Sequence, residues 1–209
     1  MSKPNLILIG AGGHARSCID TIEQEGIYEI AGLIGLAQEV GAKHFGYEVI
    51  ATDAKILELV KEYQFALITL GQIHSAERRI HLYTQAQGAG FTFPTVIAPT
   101  AYVSSHSTIG AGTIVMHGSI INAGAQVGSN CIINSNSLME HDSQVEDHCH
   151  ISTGAILNGN TSIGTGSFIG SGAVIKEGVS IGANSLVGMG IKVRYDVGNN
   201  AKYLGLTTI

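Results

Sequence analysis

Proline is scarce, at 3 residues, and charge is thin: Asp, Glu, Lys and Arg make up 13% of the 209 residues. Their balance of 11 basic to 16 acidic side chains leaves a net charge of −5, too acidic to collect phosphate backbones by counterion release. General nucleic-acid binding is therefore disfavoured. So little charge beside 44% hydrophobic residues suggests a membrane, yet no apolar run approaches the ~20 residues a spanning helix needs. The first apolar stretch, from Leu6, stops at Gly10, too soon for a secretory signal. Three cysteines (Cys18, Cys131 and Cys149) form no disulfide framework, which makes a reducing cytoplasm the expected home. Glycine alone is in excess, with 28 residues against a usual ~7%. With so little proline this indicates neither collagen nor disorder. A repeat must be using it.

From Ile97 an aliphatic side chain recurs at every sixth residue, through Val103, Ile109, Val115, Ile121, Val127, Ile133 and Met139. The series runs on through Val145, Ile151, Leu157, Ile163, Ile169, Ile175, Ile181 and Val187 to Val193, 17 matches without a slip. The fifth position, counting the aliphatic as first, is small: Ala101, Ser107, Thr113, Ser119, Ala125, Cys131, Ser137. A six-residue period fits neither a helix nor one long alternating strand. It fits short strands joined by tight turns, with one aliphatic per strand pointing into a narrow prism and Gly or Asn in the turns. Three strands close an 18-residue coil, and coils stacked as parallel strands ~4.8 Å apart make a rod roughly 25 Å long. The spacing predicts a hexapeptide parallel β-helix over residues 97–209. The tail after Val193, with Lys202-Tyr203-Leu204-Gly205, either caps the rod or reaches a ligand's phosphates.

Residues 1–96 lack the period and read as alternating strands and helices, a small Rossmann-like parallel sheet of three or four strands. Leu6–Ile9 is a strand, followed by the turn Gly10-Ala11-Gly12-Gly13-His14-Ala15. Helices are expected at Ala15–Gln24, at Asp53–Tyr63 with Asp53 as its cap, and at Ser75–Gln87. Further strands are expected at Ile30–Ile34 and Ala66–Leu70. The turn fits Gly-x-Gly-x-x-Ala, a variant dinucleotide fingerprint, but strand two ends without the acid that holds ribose, the first being Glu39. Glycines at a helix start still suit a phosphate or a sugar hydroxyl.

The rod holds no Lys, Arg, Asp or Glu from Gly110 to Met139; then come Glu140-His141-Asp142 and Glu146-Asp147-His148-Cys149-His150. This abrupt change in chemistry marks a candidate site. His141, third in its hexad, should point outward near a turn, where a carboxylate can hold one ring nitrogen and leave the other as a base. His150, sixth in the next hexad, and His148 are further candidates. Zinc would need ligands about 18 residues apart, and the residues so placed around His141 are Ala123 and Gly159, which cannot ligate. Cys131 and Cys149 occupy the small interior position, where a thiol is packing.

The glycine turn, the small α/β domain and the gapless hexads broken by Glu-His-Asp together resemble the sugar acetyltransferases of sialic acid and bacterial nucleotide-amino-sugar biosynthesis. The resemblance spans essentially the whole chain. It implies a left-handed coil, a homotrimer, and acetyl-CoA bound between neighbouring rods with no metal. The front domain would hold a uridine-linked 4-amino-4,6-dideoxy sugar. His141 would be the general base, Asp142 its orienting carboxylate with Glu140 as the alternative, and the Gly159 N–H the oxyanion donor. His150, Ser171 and Met189 would touch acetyl-CoA; Gly12, Gly13, His14 and Gly71 would meet the nucleotide-sugar. Alternatives are O-acetylation of sialic acid, a zinc hydratase on the same coil, and a scaffold without catalysis.

Overall fold

The front-domain strands are apolar runs that must be covered on both faces, which a parallel sheet between two layers achieves. The computed structural model describes residues 2–204, so Gly205 of the tail lies outside the described residues. Strands β1 (Asn5–Ile9), β2 (Glu29–Gly35), β3 (Lys43–His44), β4 (Tyr47–Thr52) and β5 (Phe65–Ile68) form one sheet in the order β3-β4-β2-β1-β5. The last four are mutually parallel, and β3 pairs antiparallel with β4. The β3–β4 hairpin is an addition to the strands read from the sequence. Helix α1 (Gly13–Glu25) packs Ala15, Cys18, Ile19 and Ile22 on Leu6, Leu8, Leu33 and Leu67. On the other face α2 (Ile56–Leu59) and α3 (Glu77–Ala89) cover Ile7, Ile9, Ile34 and Ile68.

Two local expectations are corrected. Helix α1 begins at Gly13 rather than Ala15, so His14 stands in its first turn. The helix expected over Asp53–Tyr63 is a short 3₁₀ turn, Asp53–Lys55, followed by the four residues of α2. Asp53 caps nothing; its carboxylate pairs with Arg78 of α3 instead.

From Val96 the chain coils as a left-handed parallel β-helix with three faces of seven, six and five two-residue strands. The six-residue aliphatics fill its core, from Val115 through Val193, with Ile97, Val103 and Ile109 partly covered at the lower end. Every fourth hexad position from Gly112 to Gly190 is left-handed, with φ between +53° and +76°, and carries only Gly, Asn, Asp142 or His148. Those residue types enter that region at least cost. The tail extends the coil: Val197 bridges Ile181, and Lys202–Tyr203 pairs with Leu186–Val187.

The faces differ in what their outward side chains meet. On the first, Val96, Ile114 and Ile132 are buried under α1 and the front sheet, with His150 and Phe168 further along. The second presents Tyr102, Ile120, Leu138, Ile156 and Val174 in register, an apolar ladder that the single chain leaves open. The third carries Thr108, Gln126, Gln144, Ser162 and Ser180. It is built for water.

Candidate active site

Corners between faces stack residues 18 apart. Ala123, His141, Gly159 and Glu177 share the corner between the apolar and polar faces, joined by bonds from Asp142 N to Ala123 O, Asn160 N to His141 O and Gly178 N to Gly159 O. His141 leaves 67% of its side chain accessible, with Nδ1 3.0 Å from Asp142 Oδ2. Asp142 reaches it from a left-handed turn, φ +58°, and its carboxylate lies over Gly124, where a Cβ would come within 2.4 Å of Oδ1. The imidazole in turn lies on Gly159: a Cβ there would stand 2.7 Å from both Cε1 and Nε2. Glu140 takes no part, because its Oε2 accepts from Asn122 Nδ2 at 3.0 Å.

The Gly159 N–H donates to no acceptor among the described residues. At some other corners the third-position N–H is taken, that of Ser129 by Asp147 at 2.6 Å, of Thr165 by Glu146 at 2.8 Å and of Ala183 by Asn199 at 2.8 Å. An open donor therefore adjoins a carboxylate-oriented imidazole. The corner borders a cleft of ≈ 540 Å³ lined by Glu140, His141, Asn158, Gly159, Asn160, Glu177 and Gly178. A second cleft, sharing Asn158 and Glu177, continues along the rod past Lys176, Lys192 and Arg194.

The acidic and histidine-rich run divides among separate tasks. Glu146 and Asp147 satisfy turn N–H groups on adjacent coils, and two Thr165 bonds hold the Glu146 carboxyl below its usual range. His148 receives Asn130 Nδ2 at 3.0 Å and meets the edge of Tyr83. His150 is buried, its Nδ1 donating to Gln72 O at 2.6 Å and its Nε2 accepting from Asn134 Nδ2 at 3.1 Å. Around it runs a seam that no sequence signal marked. Gln72 donates to Gly166 O; Arg79, fully buried, donates to Ile68 O and Leu70 O and to both the carbonyl and the side chain of Asn130.

Burial above all, with the Arg79 charge adding to it against the Gln72 bond, pulls His150 down to about 4. Above pH 6.5 this contributes nothing to folding. As pH falls toward 4, the unfolded chain takes a proton that the folded one refuses. The expected loss is about 3 kcal/mol from this residue by pH 4. Urea unfolding at pH 7, 5 and 4 should show it, with a flatter dependence in His150→Gln; an unchanged slope in that variant would contradict the assignment.

The glycine turn lies at the carboxyl edge of the sheet. A Cβ on Gly12 or Gly13 would meet nothing within 4 Å, and neither residue is left-handed, so the fold itself does not require glycine there. The N-terminus of α1 has no side-chain cap. His14 has a buried Nε2 without a partner, and a Cβ on Gly71 would stand 3.5 Å from its Cβ. Burial first, then Arg79 and His150, lowers His14 to about 3. On the α3 side of the turn a 320 Å³ cleft opens between Gly10–Gly12, Ile34–Leu36, Glu39, Asp53, Leu70 and Arg78.

Among the sequence-predicted residues, His141, Asp142 and Gly159 come together, as do Gly12, Gly13, His14 and Gly71. Ser171 and Met189 stand elsewhere, on the corner between the front-covered and apolar faces, above His117, Ser135 and Thr153. Ser171 pairs with Ser152 at 2.9 Å, and Met189 is 81% exposed. This corner and the His141 corner flank the apolar ladder on opposite sides. Among the described residues no group of His, Cys, Asp and Glu could hold a metal ion, and no helix is long and apolar enough to cross a membrane.

Family models match three parts of the chain: the PglD N-terminal domain over residues 5–83, the bacterial transferase hexapeptide (six repeats) over 106–141, and the hexapeptide repeat of succinyl-transferase over 160–194. A search of curated proteins finds no match. Among solved structures, PerB from Caulobacter crescentus in complex with CoA and GDP-perosamine is 29% identical, with a TM-score of 0.88 over 95% of this chain and 92% of that one. A histidine-to-asparagine variant of perosamine N-acetyltransferase from the same organism, also with CoA and GDP-perosamine, aligns with a TM-score of 0.89 at 28% identity, covering 95% and 92%. The acetyltransferase domain of PglB from Neisseria gonorrhoeae with acetyl coenzyme A is 28% identical, with a TM-score of 0.86 over 97% and 98%. These matches make the chain an acyltransferase in which a PglD N-terminal domain precedes hexapeptide repeats.

Proposed function

We infer that the protein transfers the acetyl group of acetyl-CoA to the amino group of a nucleotide-linked 4-amino-4,6-dideoxy sugar, with His141 as general base. The observation that carries this reading is the His141–Asp142 pair resting on Gly159, whose N–H is free. Relatives that bind coenzyme A with a nucleotide amino sugar support the donor and acceptor classes. The carrier nucleotide, uridine in the sequence reading, is guanosine in the PerB complex, so both belong in a substrate panel.

Asp142 holds the Nδ1–H, which leaves the Nε2 lone pair for the acceptor. As the sugar nitrogen attacks the thioester carbon, its proton passes to Nε2 and the carbonyl oxygen takes up negative charge beside the Gly159 N–H. Collapse breaks the carbon–sulfur bond, and the imidazolium returns the proton to the departing thiolate. No covalent enzyme is needed; positioning, one base and one oxyanion donor suffice.

The front domain, residues 1–96, holds the acceptor in this reading, and residues 97–209 hold the donor and the chemistry. Glycines that the fold does not demand, at an uncapped helix start, suit a diphosphate that approaches the backbone closely. Ser171 and Met189 on one corner and His141 on the other cannot face a single ligand within one rod, and His150 lies buried on the front-covered face beside the first of these corners. A ring of rods brings unlike edges together, and the uncovered ladder of Tyr102, Ile120, Leu138, Ile156 and Val174 gives it an apolar contact. We therefore read the protein as a homotrimer with acetyl-CoA between rods, in the cytoplasm where its three free thiols stay reduced. Leu138→Glu is expected to yield a folded monomer by light scattering with little turnover; an intact trimer would contradict this placement. The function itself is tested by thiol release from acetyl-CoA across UDP- and GDP-linked amino sugars and free sialic acids, with the first two classes expected to react.

A further inference from the structure

The front domain meets the rod in two unlike ways. At the amino end of β5 the chain itself joins them: Thr92 bridges Phe65, and the first coil strand then begins at Val96. There α1 and the sheet bury Val96, Ile114 and Ile132 in one apolar cluster. Such packing is non-directional, so it does little to stop the domain tilting about the join.

At the carboxyl end of β5 the contact is polar and directional. Arg79, in the first turn of α3, donates from Nη1 to Ile68 O and Leu70 O. Its Nη2 donates to Asn130 O at 3.1 Å and to Asn130 Oδ1 at 2.8 Å. Gln72 donates from Nε2 to Gly166 O at 3.1 Å, and its own carbonyl accepts from His150 Nδ1 at 2.6 Å. Asn130 and Gly166 are left-handed residues of one corner, with His148 between them. Two front-domain side chains thus grip one edge of the rod on separate coils.

Arg79 is 1% exposed and meets no carboxylate among the described residues. Burial above all draws it down to about 10, so it keeps its charge at neutral pH. A buried charge without an ion partner is a weak source of stability. Its planar fork supplies what an apolar residue or a lysine lacks, fixed directions to acceptors on both domains at once. What the fork holds is the acceptor side of the site. A Cβ on Gly10 would stand 2.8 Å from Leu70 N, and one on Gly71 would stand 3.5 Å from the His14 Cβ. The glycine turn therefore rests on the segment that Arg79 and Gln72 tie to the coil, at the end of the sheet farthest from the join.

Resting on the acetyltransferase reading, we propose that Arg79 is a positioning residue for the transfer. With Gln72 it locks the carboxyl edge of the front sheet to the Asn130–Gly166 corner, and so sets where the bound acceptor stands relative to the coil. It acts through that register and touches neither substrate.

The test separates kcat from binding, at a temperature well below the unfolding midpoint. Arg79→Lys keeps the charge and loses the fork; a misplacement of about 1 Å is expected to lower kcat by ~10²-fold. The acetyl-CoA KM, the calorimetric affinity for bare UDP or GDP, and the oligomer mass are expected to stay as in the parent. Asn130→Gly removes one of the two rod-side acceptors, and it answers the question if Arg79→Lys does not fold. Glycine holds the same left-handed turn position at Gly112 and Gly166, so the coil tolerates it. This variant is expected to lose roughly 10-fold in kcat with the same affinities kept. The double variant is expected to fall little below Arg79→Lys, because both changes break one contact. Full kcat in the folded variants would overturn the proposal, since the contact would then serve stability alone. So would an equal fall in nucleotide or coenzyme A affinity, which would make the damage general. If the unaltered protein acetylates no nucleotide-linked amino sugar, the acetyltransferase reading fails first and the positioning role falls with it.

Discussion

Replacing His141 with alanine is expected to lower kcat by ~10²–10⁴ while thermal unfolding stays close to that of the parent protein. The separation of function from folding follows from where the side chain sits. It leaves 67% of its surface accessible, touches a glycine of the next coil, and bonds only to its neighbour Asp142. The coil's stability resides in the aliphatic ladder inside the prism, which the substitution does not touch. Because the base acts in the chemical step, the loss should appear in kcat with the acetyl-CoA KM little changed. A folded His141→Ala protein with full turnover would remove this residue from the mechanism.

The second large effect is expected at Gly159, which bears no functional side chain. A methyl there would stand 2.7 Å from two imidazole atoms, so in Gly159→Ala either the ring swings away or the turn shifts. Gly159 is not in the left-handed region, so alanine carries no backbone penalty and the coil should remain folded. Displacing a catalytic group by about 1 Å costs on the order of 10²-fold in rate. The expected result is a drop of that size in kcat, with coenzyme A affinity by calorimetry nearly unchanged. Full activity in a folded Gly159→Ala protein would mean that the imidazole position does not govern the rate.

The six-residue period placed all the strands from Val96 to Val193, because each needs one core aliphatic and each turn from Gly112 to Gly190 a residue that tolerates positive φ. That second requirement also hid information. Asp142 stands in a turn position otherwise held by Gly, Asn or His148, so its charge reads equally as turn chemistry and as a partner for His141. The charged run around it looked like a single cluster, yet Glu146 and Asp147 serve turns on the coils above and below. Hydrogen bonding between residues 18 or 19 apart is invisible until the coil pitch is known.

The seam escaped for a different reason. Arg79 and Asn130 are 51 residues apart, and Gln72 and His150 are 78 apart. Nothing local distinguishes Arg79 from the solvent-facing Arg78 beside it. The β3–β4 hairpin was equally illegible: its turn is Phe-Gly where the expected signal is Asn-Gly, and β3 is only two residues long.

The proposed transfer depends on a base that works at a crevice shared by two rods. A crystal structure of the protein with coenzyme A and a nucleotide-linked amino sugar tests this directly. The sulfur and the sugar nitrogen should lie within roughly 4 Å of each other. The His141 Nε2 and Gly159 N–H of one rod should face them, and the Ser171–Met189 corner of the next should line the coenzyme. A complex in which His141 faces open solvent, with coenzyme A bound away from it, would contradict the account.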